Sequence, residues 1–168
     1  NNLNLTARLQ WGATEGAAPK AHALPEVRGA LVPVGGGKDS VVTIEAVKQM
    51  GVPMKLFAVG SAAPLPGPMQ KCIDVSGVEA LRVTRTLSPQ LLELNKQGAY
   101  NGHIPITAIV SMIAVCTALL HGLKAVVFSN ERSASAPNTT HHGLEVNHQY
   151  SKSFAFESLL GDYITAHI

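Results

Sequence analysis

Apolar positions along the chain come in short runs of strand length, separated by segments in which they recur at helical spacing. Ala30–Val34, Lys55–Val59, Ala80–Arg85 and Lys124–Phe128 are the runs that predict strands. Pro33 is awkward within the first of them, because proline has no N–H to give to a ladder. Helices are predicted over Ser40–Met50, stopped at Gly51, over Pro89–Gln97 with Leu91, Leu92 and Leu94 on its apolar side, and over Ser151–Leu160. A shorter one is expected at Gln70–Ser76. Ile104–His121, ended by Gly122, reads as a helix buried on most sides. Asn1–Gln10 alternates like an edge strand, and the Ala-, Gly- and Pro-rich stretch Gly12–Glu26 reads as a loop, as does Gly60–Pro68. Trp11 and Phe154 are assigned to the core. Strands alternating with helices predict an α/β fold, a parallel sheet with helices on both faces. The loops after Val34, Val59, Arg85 and Phe128 should then share one rim, where such sheets bind ligands.

Composition narrows the class. With 168 residues, 46% hydrophobic and 14% charged, the chain can bury a core and is not a disordered segment. A net charge of +2 without a Lys/Arg-rich run argues against a nucleic-acid partner. The apolar run Ile104–Leu120 is shorter than the ~20 residues of a membrane span and contains Pro105, Thr107, Ser111 and Thr117, so no membrane role is expected. Cys72 and Cys116 match no metal spacing and read as reduced, buried thiols of a cytoplasmic protein, and no signal peptide is seen. The chain opens at Asn1 without a methionine, and a piece of a longer protein is expected: residues 1–28 as the remnant of an N-terminal region, 29–168 as the main domain.

The chemistry concentrates in "ALVPVGGGKDS", where a predicted strand runs through glycines into a predicted helix. Gly35, Gly36 and Gly37 let a ligand approach the backbone, whose N–H groups join the helix N-terminus in an anion cradle. Lys38 adds charge, Ser40 a hydroxyl, and Asp39 either caps the helix or helps to hold a metal ion. The loop is not G-x-x-x-x-G-K-S/T, because Asp39 follows Lys38, and it is not G-x-G-x-x-G. A plain glycine turn is the alternative; position, composition and helix register together favour phosphate binding.

"GGGKDS" resembles the S-G-G-x-D-S signature of PP-loop ATP pyrophosphatases, with Gly35 in place of the serine and one hydroxyl fewer. "LVPVGGGKDSVVTIEA", "NGHIPITAIVS", "VVFSNERSAS" and "EVNHQYSKS" together resemble one family, the UDP-N-acetylmuramoyl-L-alanyl-L-glutamate epimerases, over residues 31 to 160. The resemblance implies an adenine-nucleotide α-hydrolase type of sheet, with ATP and Mg2+ as cofactors. The β,γ-pyrophosphate of ATP would lie on Gly35–Ser40, and adenine near Phe57, Ala58 and Val59. It also implies a UDP-sugar dipeptide substrate whose terminal L-glutamate is inverted, with release of AMP and pyrophosphate.

Candidates for the proton-transfer base are His148 and Lys152 in "EVNHQYSK", and His103, which stands at the start of the long apolar helix where a positive helix end favours neutral imidazole. For His103 a helix-capping role has equal standing. In "SNERSAS", at a strand end, Asn130, Arg132 and Ser133 are candidates for phosphate or substrate, and Glu131 joins Asp39 as a candidate for magnesium; a salt-bridged loop anchor is the alternative. Asn147 and, more weakly, Arg85 are further substrate or phosphate candidates. Two other functions stay open: a PP-loop enzyme adenylating RNA or a tRNA-bound substrate, disfavoured by the weak charge, and a non-catalytic module that senses ATP.

Overall fold

The computed structural model describes residues 27–99, 102 and 104–168. The predicted edge strand at Asn1–Gln10, the loop after it, Trp11 and His103 lie outside the described residues. In chain order the elements are β1 (Ala30–Pro33), α1 (Lys38–Gln49), β2 (Met54–Gly60), α2 (Gly67–Ser76), β3 (Ala80–Thr84), α3 (Pro89–Lys96), α4 (Ile106–Leu120), β4 (Ala125–Val126), β5 (Thr139–His141), β6 (Leu144–Val146) and α5 (Phe154–His167). Two short 3-10 helices, Arg132–Ser135 and Tyr150–Lys152, flank the β5–β6 pair.

The four sheet strands are parallel, in the order β3-β2-β1-β4. Strand residues alternate between faces, and β1 shows it directly. Ala30, Val32 and Val34 pack with Ile44 and Val47 of α1 and Leu56 of β2, and half-buried Met69, Cys72 and Ile73 of α2 close that side. Leu31 points the other way, onto Phe57 and onto Ala114 and Ala118 of α4. Helices therefore cover both faces, as the alternation of the sequence requires. Leu31, Val32, Leu56 and Phe57 are fully buried, each adding about 1.5–3 kcal/mol of burial free energy.

Pro33 is tolerated for a topological reason. The N–H groups of Ala30 and Val34 bond toward β2, while Leu31 accepts from Val127 on the other side. Pro33 shares the parity of Leu31, and pairing with β4 ends at Leu31↔Val126. Its missing donor thus falls where the strands part.

Several expectations need correction. α4 buries Ser111, Ala114, Thr117 and Ala118 along one face and leaves Ile109, Met112 and Leu120 exposed, so it is not buried on most sides among the described residues. Cys116 lies on that outer face and is exposed, and Cys72 is half-buried; both thiols are free. Leu91, Leu92 and Leu94 of α3 are exposed, and Phe154, assigned to the core, is 75% exposed. The final helix starts later, with Ser153 accepting from the N–H of Phe156 as its cap, and runs to His167. The polar segment after β4 holds a hairpin, turning through His142 (φ 49°) and Gly143 (φ 77°). Both turn residues have positive φ, a geometry in which histidine is an accepted substitute for the usual asparagine.

Candidate functional site

The chain winds from β1 outward to β3, then returns through α3 and α4 to place β4 on the opposite edge of β1. Adjacent strands thus send their following segments to opposite faces, and a crevice opens beyond their carboxyl ends. A cleft of about 390 Å³ occupies that position. Val34, Gly35, Gly37, Asp39 and Ser40 form its floor, Phe57, Val59 and Phe128 its apolar wall, and Ser129 and Asn130 its far edge. The first turn of α4 contributes Ile106 and Thr107.

Helix ends give this cleft its electrostatics. Among the described residues α1, starting at Gly37, and α4, starting at Pro105, have no side-chain cap, as is also true of α2, whereas α3 and α5 are capped by Ser88 and Ser153. The positive ends of two helices therefore border one space, which favours an anion. Asp39 is the one ionisable side chain among the described lining residues.

The three glycines have different duties. The N–H of Gly35 donates to Ser40 Oγ at 3.0 Å, which closes the loop and leaves the hydroxyl proton of Ser40 free to donate. Gly36 has φ 84°, and a Cβ there would stand 2.7 Å from the backbone nitrogen of Met69, so this glycine serves the packing of the loop against α2. Gly37 has φ −94°, open to any residue, and a Cβ there would meet nothing within 4 Å. The open space at Gly37 belongs to the cleft. Gly36→Ala is accordingly expected to cost about 1–3 kcal/mol of stability through forced left-handed backbone and the Met69 clash. Urea unfolding followed by circular dichroism measures it, and an unchanged midpoint would contradict the packing role.

Of the remaining candidates, Phe57, Val59 and Asn130 line the cleft, whereas Ala58 is buried within β2 and Lys38 is exposed on the first turn of α1. The carbonyl of Phe57 accepts from the Val34 N–H at 2.9 Å and its ring is buried with Leu31, Ala114 and Ala118, which leaves half-buried Val59 as the more accessible of the two side chains. Glu131, Arg132 and Ser133 are exposed at the 3-10 turn beyond Asn130 and do not line the cleft. Asn147 is spent on the loop itself: Nδ2 donates to the Ala134 carbonyl and Oδ1 accepts from the Gln149 N–H, both at 2.8 Å. His148 and Lys152 are exposed, with the His148 N–H bonded to Asn138 Oδ1, and neither lines the cleft. Arg85 is half-buried in an adjoining depression.

Sequence reasoning did not single out Phe128, Ile106 or Thr107 of the lining, nor the pair Ser129 and Thr43. Ser129 Oγ donates to Thr43 Oγ1 at 2.8 Å, pinning the segment after β4 to α1 across the crevice. The pattern carried a faint signal, because Thr43 and Ser40 share one face of α1 and Ser129 directly follows a strand.

Magnesium and ATP fit the donor set. Magnesium is commonly held by one or two carboxylates together with substrate phosphates and water, and Asp39 beside an anion-binding loop provides that arrangement. No group of three or more metal-ligating side chains occurs among the described residues.

Comparison with known proteins bears on the whole chain. The UDP-N-acetyl-alpha-D-muramoyl-L-alanyl-L-glutamate epimerase of Xanthomonas oryzae pv. oryzae is 45% identical over all 168 residues, which span 36% of that protein. The enzyme of the same name from Salinispora tropica is 46% identical over 138 residues, 82% of this chain and 29% of its own. The chain thus covers about a third of the length of these relatives. Among solved structures, an NH3-dependent NAD synthetase from Campylobacter jejuni superposes with a TM-score of 0.47 at 11% identity, over 84% of this chain and 69% of that one. The model of the MurL N-terminal domain matches residues 1–168 end to end, and the chain belongs to that family.

Proposed function

We propose that this chain is the ATP-binding, adenylating part of an epimerase that inverts the terminal L-glutamate of UDP-N-acetylmuramoyl-L-alanyl-L-glutamate during peptidoglycan precursor synthesis. The observation that carries the reading is the cradle at the crevice: a PP-loop-like sequence whose Gly37 opens onto two uncapped helix starts. The names of the relatives support the substrate class. Among the described residues no helix is long and apolar enough to cross a membrane. We place the reaction in the cytoplasm, where ATP is available, without a nucleic-acid or membrane partner.

The chemistry explains why an inversion consumes ATP. The hydrogen on a carbon bearing a carboxylate is very weakly acidic, because its removal builds a dianion. A carboxylate oxygen attacks the α-phosphorus of ATP, the bond to the bridging oxygen breaks, and pyrophosphate leaves. The acyl phosphate so formed makes the α-hydrogen acidic enough for a side-chain base. Return of a proton from the opposite face inverts the centre, and water releases AMP and the carboxylate.

The chain's part follows from its geometry. The Gly35–Ser40 backbone and the Ser40 hydroxyl receive the leaving pyrophosphate, whose charge the starts of α1 and α4 stabilise. Asp39 would hold magnesium, which neutralises phosphate charge when bound. Val59 and Phe128, backed by the buried Phe57, give the base of the nucleotide an apolar seat.

The test is to supply the full-length protein with ATP, magnesium and the L-glutamate-terminated substrate, then to separate the nucleotides and determine the chirality of the glutamate. AMP and pyrophosphate with D-glutamate are expected. ADP as the main product would refute the pyrophosphatase reading, and ATP binding without AMP would identify a sensor.

A further inference from the structure

Beside the nucleotide cleft lies a second depression of about 490 Å³, beyond the ends of β2 and β3. Val59, Ile106 and Val110 line both, so the two spaces share one apolar wall. Arg85 is the one charged residue among those lining the second, and hydroxyl-bearing Ser61 and Thr86 lie in the same lining. Arg85 is half-buried, and its guanidinium has no hydrogen bond or ion pair among the described residues. Its neighbour Arg82 differs: it donates to the carbonyls of Ser61 and Ala63 and so holds the loop that forms one side of the depression. The backbone of Arg85 is fixed as well, its N–H donating to the Gly60 carbonyl at 2.7 Å. A half-buried, unpaired guanidinium on a fixed strand end is suited to a carboxylate, which it can grip through two parallel hydrogen bonds.

We propose that this depression seats the glutamyl end of the substrate and that Arg85 binds its side-chain carboxylate, the one that does not react. The inference rests on the adenylation reading above. A terminal glutamate brings two carboxylates. The one beside the α-carbon must reach the α-phosphorus with a free oxygen, and a guanidinium fork would occupy both of its oxygens and blunt its attack. Arg85 stands across the shared wall from the cleft, with the second carboxylate within its province. Arg85 then sets specificity: it selects a terminal residue with an acidic side chain and fixes which carboxylate is adenylated.

The experiment compares two substrates in the full-length protein, the natural L-glutamate-terminated one and an analogue ending in L-glutamine, by substrate-dependent pyrophosphate–ATP exchange. Wild type should favour the glutamate form by about 10- to 100-fold in kcat/KM, the effect of one charge-assisted hydrogen bond. Arg85→Met should raise KM for the glutamate form by a similar factor and erase the preference, with ATP affinity by calorimetry unchanged. Arg85→Lys, which keeps the charge but loses the fork, should retain an intermediate preference, and it decides the matter should Arg85→Met fail to bind ATP. Preference undiminished in either ATP-binding variant overturns the assignment while leaving the adenylation reading intact. Absence of exchange in wild type with the glutamate substrate refutes the adenylation reading, and this inference with it.

Discussion

Gly37→Val is expected to abolish ATP binding in a protein that remains folded. The backbone at Gly37 (φ −94°) accepts valine, and the added side chain meets no protein atom within 4 Å of its Cβ. Gly37 lines the cleft that the starts of α1 and α4 border, where the phosphates would lie on the proposed reading. Loss of two charge-assisted hydrogen bonds, at about 1.5–3 kcal/mol each, weakens binding by at least ~100-fold. Calorimetric titration with ATP and magnesium, beside a thermal melt, provides the check. Normal affinity in Gly37→Val would remove the phosphate cradle from the site. The contrast with Gly36→Ala is informative, because that change should lower stability, one loop position serving the ligand and the other the fold.

The second large effect concerns proton transfer. We propose His148 and Lys152 as its residues, and His148→Ala and Lys152→Ala should each slow inversion by ~100-fold or more, the usual cost of losing a positioned acid or base. The segment that carries them is anchored: Asn147 holds Ala134 and Gln149, Ser151 and Ser153 are buried, and the Phe154 N–H donates to Ser135 Oγ. Both side chains are nevertheless exposed and outside the cleft. A role in the proton step alone would leave adenylation untouched, and two exchange reactions separate the steps. Pyrophosphate–ATP exchange reports adenylation, and deuterium uptake at the glutamate α-carbon reports proton removal. Each variant should lose the second and keep the first. Loss of both reassigns the residue to binding or adenylation, and loss of neither turns attention to His103.

Local pattern carried far in this chain because its core is simple. Alternation in Ala30–Val34 and the helical spacing after it require a strand feeding a helix, and Gly35–Ser40 between them could only be a junction. That is enough to predict a parallel sheet covered on both faces and to mark one rim as the site. The sequence failed where one residue type has several uses. Three successive glycines look alike in a motif, yet a side chain at Gly36 would collide with the Met69 backbone while one at Gly37 would meet open space. Asn147 reads from the sequence as a substrate or phosphate candidate, and only the structure shows its amide bonded to Ala134 and Gln149 within the loop. Apolarity in α4 and α3 predicted burial that their outer faces do not have among the described residues, since periodicity identifies a helix without naming what covers it. Tertiary structure alone set Ser129 against Thr43, 86 positions apart, and placed the Arg85 guanidinium, without a partner among the described residues, beside the wall of Val59, Ile106 and Val110. Such neighbours arise from the strand order β3-β2-β1-β4, in which the direction of winding reverses at β1. The sequence alone determined that the chain would build a parallel sheet and carry a glycine-rich turn from strand to helix at its rim. Which side chains meet across the crevice was decided only by that reversal, because it joins segments that no local spacing relates.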